Sequence, residues 1–167
     1  LTEILLHTPK AIELLNDREQ LIERKTIEQF HTEAISTLRS DETDHAKLDA
    51  LRRYQRSQFL RIGINDFQGL FDLQTVSLQL SRMAIGMVRA CLDVACHQTK
   101  IKKPDNFVVL AMGKLGGREL NYSSDIDLVF ASRRNSDDTI RLAKQLIENT
   151  LIASGGTPLP GSTWVCM

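Results

Sequence analysis

Asp125 and Asp127 hold the most chemistry in the chain: two carboxylates with one apolar residue, Ile126, between them. On an extended strand such a pair points to one face, with Cα atoms roughly 6.5 to 7 Å apart. Ile126 and Leu128 then face the core while the carboxylates face a cleft. Like charges this close are poorly tolerated unless a cation neutralises them. Hard carboxylate oxygens suit Mg²⁺, which is usually held by one or two carboxylates together with phosphate oxygens. Upstream, Gly113, Gly116 and Gly117 surround Lys114. A glycine-rich turn after a strand lets backbone N–H groups approach phosphate oxygens, and Lys114 supplies positive charge. With Ser124, which directly precedes the pair, Gly113, Lys114, Gly116 and Gly117 are the candidate nucleotide-binding residues. Asp125 and Asp127 are the candidate catalytic residues and metal ligands. An isolated Asp-x-Asp is usually solvated, and an isolated Gly-Gly is usually only a turn. Their succession, each beside a strand-like apolar run, points to nucleotidyl or phosphoryl transfer assisted by one or two metal ions.

The elements that must position these residues are legible as patterns. Phe107 to Met112 is a continuous apolar run, β-branched at its centre, and reads as a buried strand. The glycines after it mark a loop, and Ile126 to Phe130 reads as a second strand. Asp137 to Ala153 returns to helical spacing through Ile140, Leu142, Ala143, Leu146, Ile147 and Leu151. The first hundred or so residues read as helix almost throughout. Pro9 opens a short segment carrying Ile12, Leu14 and Leu15. One amphipathic helix is predicted from Arg18 to about Leu38, a second from about Asp44 to Ile64 with Leu48, Leu51, Phe59 and Ile62 on its stripe. A third starts at the N-cap Asp72 and reaches about His97. The expected class is α+β: a helical region over 1–103, followed over 104–167 by the opening of an αβ unit.

Composition narrows the function classes. Lys plus Arg number 21 and Asp plus Glu number 21 among 167 residues. A balanced charge argues against a general nucleic-acid binder, which needs excess basic charge. No apolar stretch approaches the roughly 20 residues of a membrane span. Leu1 to Leu6 lack the basic region and cleavage site of a signal peptide, and plain thiols suit the reducing cytoplasm that is the expected setting. Cys91, Cys96 and Cys166 lack framework spacing and read as plain thiols, Cys91 and Cys96 on different sides of one helix. His7, His31, His45 and His97 lack metal spacing. Arg52, Arg53, Arg56 and Arg61 read as a solvated basic face, or as a contact for nucleotide or an acidic partner. Met83 and Met87 read as core filler.

The run Gly113-Lys114-Leu115-Gly116-Gly117-Arg118-Glu119-Leu120-Asn121-Tyr122-Ser123-Ser124-Asp125-Ile126-Asp127-Leu128-Val129-Phe130 resembles the glutamine synthetase adenylyltransferase / adenylyl-removing enzyme family almost residue for residue. That family lies in the polymerase-β-like nucleotidyltransferase superfamily, in which Lys114 stands where Ser is usual. Leu51-Arg52-Arg53-Tyr54, Leu60-Arg61-Ile62-Gly63, Asp66, Gly69-Leu70 and Asp72-Leu73 resemble the same family's helical lead-in. The resemblance covers roughly residues 1 to 153.

The resemblance implies a truncated polymerase-β-like domain with Mg²⁺ on Asp125 and Asp127, and with ATP, ADP and phosphate as small-molecule partners. The protein partners it implies are glutamine synthetase and the regulatory protein PII. One half of such enzymes attaches AMP from ATP to a tyrosine of glutamine synthetase; the other removes it by phosphorolysis, releasing ADP. Asn121 and Ile126 look more like the removing, N-terminal half, since the other typically has Gly and Leu there. The family's third carboxylate lies in a later Val-Asp-x-Arg-Leu-Arg-Pro segment. Aligned on Val165 and Met167, Cys166 takes the place of that Asp, and a thiol is a poor Mg²⁺ ligand. With the opening Leu1, this reads as a fragment. The alternative to an enzyme is therefore an inactive piece acting at most as a nucleotide- or protein-binding module.

Overall fold

A computed structural model describes residues 18–102, 107–133 and 136–155. The expectations for Pro9 to Leu15, for the turn at Pro104 and for the tail containing Cys166 lie outside these residues. The class is α+β: six helices and one two-stranded antiparallel sheet among the described residues.

The helix predicted over Arg18 to Leu38 is two helices, α1 (Arg18–Ile22) and α2 (Ile27–Ser36). The break has a local cause and a distant one. Thr26 caps α2, its side chain accepting from Gln29 N while the Gln29 side chain accepts from Thr26 N. This reciprocal capping box satisfies two otherwise orphaned donors. The carbonyls freed before it are taken by buried side chains from further along the chain. Arg61 Nη1 donates to Glu23 O at 2.6 Å and Asn65 Nδ2 to Leu21 O at 2.8 Å. The Gln79 amide accepts from Lys25 N and donates to Lys25 O.

Helix α3 (Asp44–Phe67) is capped by Thr43 and runs through Gly63, past its predicted end at Ile64. Leu48, Leu51 and Ile62 of its predicted stripe are buried. Helix α4 (Leu73–Thr99) begins as expected at Asp72, whose carboxylate accepts from Thr75 N at 2.8 Å. Val76, Leu80, Met83, Met87, Val88, Leu92 and Val94 are buried as the spacing predicts, whereas Leu73 is exposed.

Strand β1 (Phe107–Met112) has its predicted bounds and pairs with β2 (Asp127–Ser132), with Val109 opposite Phe130 and Met112 opposite Asp127. Between them lies a single helical turn, α5 (Gly113–Gly116), where a loop was expected. Helix α6 (Asp137–Ser154) follows, capped by Ser136. One sheet face carries Phe107, Val109, Ala111, Leu128 and Phe130 onto the core, with the Phe107 and Phe130 rings stacked at 6.0 Å. The expectation of a buried strand is met on this face only: Val108, Leu110 and Met112 on the other face are about half exposed. A continuous apolar run records that both faces avoid polar residues, not that both are covered here.

The solvated-face reading holds for Arg53 and Arg56, which are exposed, and is corrected for Arg61 and Arg52. Arg61 is fully buried, reaches Gln58 and Gln79 as well as the α1–α2 carbonyls, and stacks over Phe30. Arg52 donates two hydrogen bonds to Ile152 O near the end of α6. Both are spent inside the fold. A single apolar cluster joins residues of α2, α3, α4, β1 and α6, so the helices and the sheet share one core.

Candidate functional site

The sheet register assembles the site. Met112 ends β1 opposite Asp127, which starts β2, so the residue after Met112 is delivered to the Asp127 side chain. That residue is Gly113, with φ +53°. A Cβ placed on it would lie 2.6 Å from Asp127 Oδ2. No larger residue fits there without displacing the carboxylate, and the left-handed backbone independently favours glycine. Gly116 is equally constrained, because its Cβ would meet Ala111 O of β1 at 2.5 Å.

The glycine turn is tied off by a Schellman arrangement. Glu119 N donates to Lys114 O at 2.8 Å and Arg118 N to Leu115 O at 3.1 Å. Arg118 therefore occupies the left-handed position, φ +59°, that such caps usually give to glycine. Leu115 and Leu120 are buried on either side and fix the turn to the core. Gly113, Lys114, Gly116 and Gly117 all lie on this turn, exposed.

The segment Asn121–Ser124 forms a second tight turn. Asn121 Oδ1 accepts from Ser123 N, Ser123 Oγ and Ser124 Oγ, the last at 2.7 Å, and Asn121 N donates to Ser124 Oγ. The Ser124 hydroxyl is thus engaged within its own turn, an arrangement its neighbours in sequence do not announce. Asp125 follows immediately. It precedes β2 rather than lying on it, correcting the expectation that both carboxylates belong to one strand. The alternation survives: Asp125 and Asp127 are exposed, while Ile126 and Leu128 are half-buried against the core.

Neither carboxylate has a hydrogen-bond or ion-pair partner among the described residues. Among those residues no group of three or more His, Cys, Asp or Glu side chains gathers around a common point. Two unpaired hard-oxygen donors, with a glycine keeping the space beside one of them clear, fit a divalent cation such as Mg²⁺. Cys166, at the expected third position, lies outside the described residues. A cavity of about 220 Å³ elsewhere is lined by Arg82 and Arg118 among others, and neither Asp125 nor Asp127 borders it.

Sequence reasoning missed Asp66, Phe59 and Ser81, which hold the second turn from the helical side. Tyr122 OH donates to Asp66 Oδ2 at 3.0 Å, and its ring lies 6.5 Å from that of Phe59. Leu120 N donates to the buried hydroxyl of Ser81. Nothing in the spacing of residues so far apart could pair them.

Residues 1–153 match the family model described as glutamate-ammonia ligase adenylyltransferase. The chain belongs to that family. Its members are adenylyltransferases, enzymes of the nucleotidyltransferase class, and the match takes in both the helices and the glycine–carboxylate segment. Among similar curated proteins is the bifunctional glutamine synthetase adenylyltransferase/adenylyl-removing enzyme of Neisseria meningitidis serogroup B. It is 37% identical over 120 residues, covering 68% of this chain and 13% of that protein. The protein of the same description from Shewanella oneidensis is 32% identical over 165 residues, covering 86% of this chain and 17% of its own length. A third, from Chromobacterium violaceum, is 38% identical over 87 residues. The chain thus spans less than a fifth of the curated relatives it matches. No described helix is long and apolar enough to cross a membrane.

Proposed function

We propose that this chain carries part of a polymerase-β-like nucleotidyltransferase site that controls adenylylation of glutamine synthetase, in the direction of phosphorolytic AMP removal. The observation that supports the reading is the sheet register, which seats Gly113 against the Asp127 carboxylate and so sets the glycine turn beside one of the two candidate carboxylates. Asp125 and Asp127 would hold Mg²⁺, which when bound neutralises charge on phosphate oxygens. The protein's own share is alignment. Lys114 and the turn at Gly113, Gly116 and Gly117 sit where phosphate oxygens of ADP or ATP would lie, and the rigid sheet holds them against the carboxylates. Ser124 orients the approach to Asp125 through its bonds to Asn121.

Two features favour that direction, while the relatives' description, bifunctional adenylyltransferase/adenylyl-removing enzyme, covers both directions alike. Asn121 and Ile126 match the form expected of the removing half. Asn121 is also structurally committed, accepting three hydrogen bonds that a glycine at this position would lose. The helical region over 1–103 is the lead-in to the nucleotidyltransferase unit over 104–167, and glutamine synthetase, with PII as regulator, is the partner in a cytoplasmic setting.

Incubation with adenylylated glutamine synthetase, Mg²⁺ and phosphate tests this. ADP release that depends on phosphate and is lost in Asp127→Asn supports it. Transfer of AMP from ATP to unmodified glutamine synthetase would reverse the direction. Mg²⁺-dependent nucleotide binding without either reaction would leave a binding module.

A further inference from the structure

The turn that delivers Asp125 is fastened to the helical body at two points, neither of them part of the carboxylate pair. At its start, Leu120 N donates to Ser81 Oγ at 3.2 Å, and Ser81, fully buried on α4, in turn donates to Ser77 O at 2.8 Å. At its middle, Tyr122 OH donates to Asp66 Oδ2 at 3.0 Å in the last turn of α3, with the Tyr122 ring against Phe59. Between these ties and Asp125 only Ser123 and Ser124 intervene, and both are locked to Asn121. Asp127 is positioned by sheet pairing, but Asp125 lies outside the strand and has no such support. Its placement depends on the turn.

Resting on the Mg²⁺ site proposed above, we propose that Asp66 and Tyr122 are positioning residues for Asp125, so that the helical region sets the metal affinity of the αβ unit. A carboxylate on a free turn samples many orientations, and each restraint on the turn raises the fraction competent to share a cation with Asp127. The Tyr122–Asp66 bond is exposed, which limits its effect to that of one ordinary hydrogen bond. The same exposure makes it removable without unfolding the core.

The test is an Mg²⁺ titration of the whole isotopically labelled chain, followed through the backbone amides of residues 125–128, with amide exchange of residues 123–127 measured alongside. Tyr122→Phe keeps the ring on Phe59 and removes only the hydrogen bond. It is expected to raise the half-saturating Mg²⁺ concentration about three- to tenfold, to speed amide exchange in the turn, and to leave the unfolding midpoint in place. Asp66→Ala should reproduce this. Asp66→Asn, which keeps an acceptor oxygen, should restore affinity to within about twofold of wild type. Wild-type Mg²⁺ affinity in Tyr122→Phe, or a loss that Asp66→Ala does not share, overturns the positioning role alone. A wild-type chain whose amides do not respond to Mg²⁺ overturns the proposed site and the positioning role together.

Discussion

Replacing Gly113 with alanine separates the stability of the fold from the integrity of the site. At φ +53° an L-residue meets a left-handed penalty of about 1–2 kcal/mol. Reduced freedom in the unfolded chain returns about 0.4–1 kcal/mol. The net cost is about 1 kcal/mol, well within the stability of a domain this size. The added methyl would also stand 2.6 Å from Asp127 Oδ2, and the free end of that side chain can rotate away. The fold therefore survives while the carboxylate leaves its place. Gly116→Ala is the contrast, because its Cβ would meet Ala111 O, a main-chain atom of β1 that cannot rotate. Overpacking there should cost about 2 kcal/mol or more. Gly117 has φ −76° and its nearest atom at 3.6 Å, so Gly117→Ala should stay within about 0.5 kcal/mol of wild type. Urea unfolding gives the stabilities, and Mg²⁺ titration gives the site. Gly113→Ala is expected to lose at least about tenfold in Mg²⁺ affinity, which corresponds to about 1.4 kcal/mol, for its small loss of stability. Wild-type Mg²⁺ affinity in Gly113→Ala would refute the argument that the close approach of Gly113 places Asp127 for a metal.

Arg61→Met keeps much of the buried volume but takes the donor from the carbonyl of Glu23 and leaves that of Leu21 to Asn65 alone, and should cost about 3 kcal/mol in urea unfolding. Arg118→Gly relieves a left-handed arginine and should hold or raise stability by up to about 1 kcal/mol in the same assay. Burial pushes the Cys91 thiol from its ordinary value of 9.0 up to about 12, so its contribution to stability is intact below pH 9 and is lost as pH rises toward 12. Stability measured across that window should fall by about 1.4 kcal/mol per pH unit from this group, with a shallower slope in Cys91→Ala. Burial, and then the neighbouring Glu33, also push Tyr54 upward, and burial and Asp66 do the same to Tyr122, so a residual alkaline loss should persist in that variant and shrink, without vanishing, when Tyr54→Phe is added.

Much of the fold was legible where one local signal dominated. Asp72 announced α4 because an acidic cap before a long apolar period satisfies both capping and burial. The bounds of β1 followed from β-branched residues between turn signals. The break before α2 was present as a Thr-x-x-Gln capping spacing, Thr26 with Gln29 three residues on, but the surrounding periodicity of Leu21, Ile22, Ile27 and Phe30 spoke for continuity. What ends the helix there is a set of acceptor needs met by Arg61, Asn65 and Gln79, all distant in sequence. Arg61 looked solvated for the same reason: its partners are main-chain carbonyls, which leave no mark in composition. At the site, residue types and spacing picked out Asp125, Asp127 and the glycines. The start of β2 at Asp127 was hidden, because the pairing of Met112 with Asp127 sets it, not the propensity of Asp125 or Ile126. The engagement of Ser124 by Asn121 was hidden too, since side-chain bonds inside a turn depend on its geometry.

The most direct test of the central claim is titration calorimetry of ATP and ADP binding with and without Mg²⁺, using Asp125→Asn/Asp127→Asn as the control. Binding that requires Mg²⁺ and disappears in the double variant is the predicted result. Binding that ignores Mg²⁺ or survives in the double variant, or no binding by the wild-type chain, would contradict a metal-dependent nucleotide site on these two carboxylates.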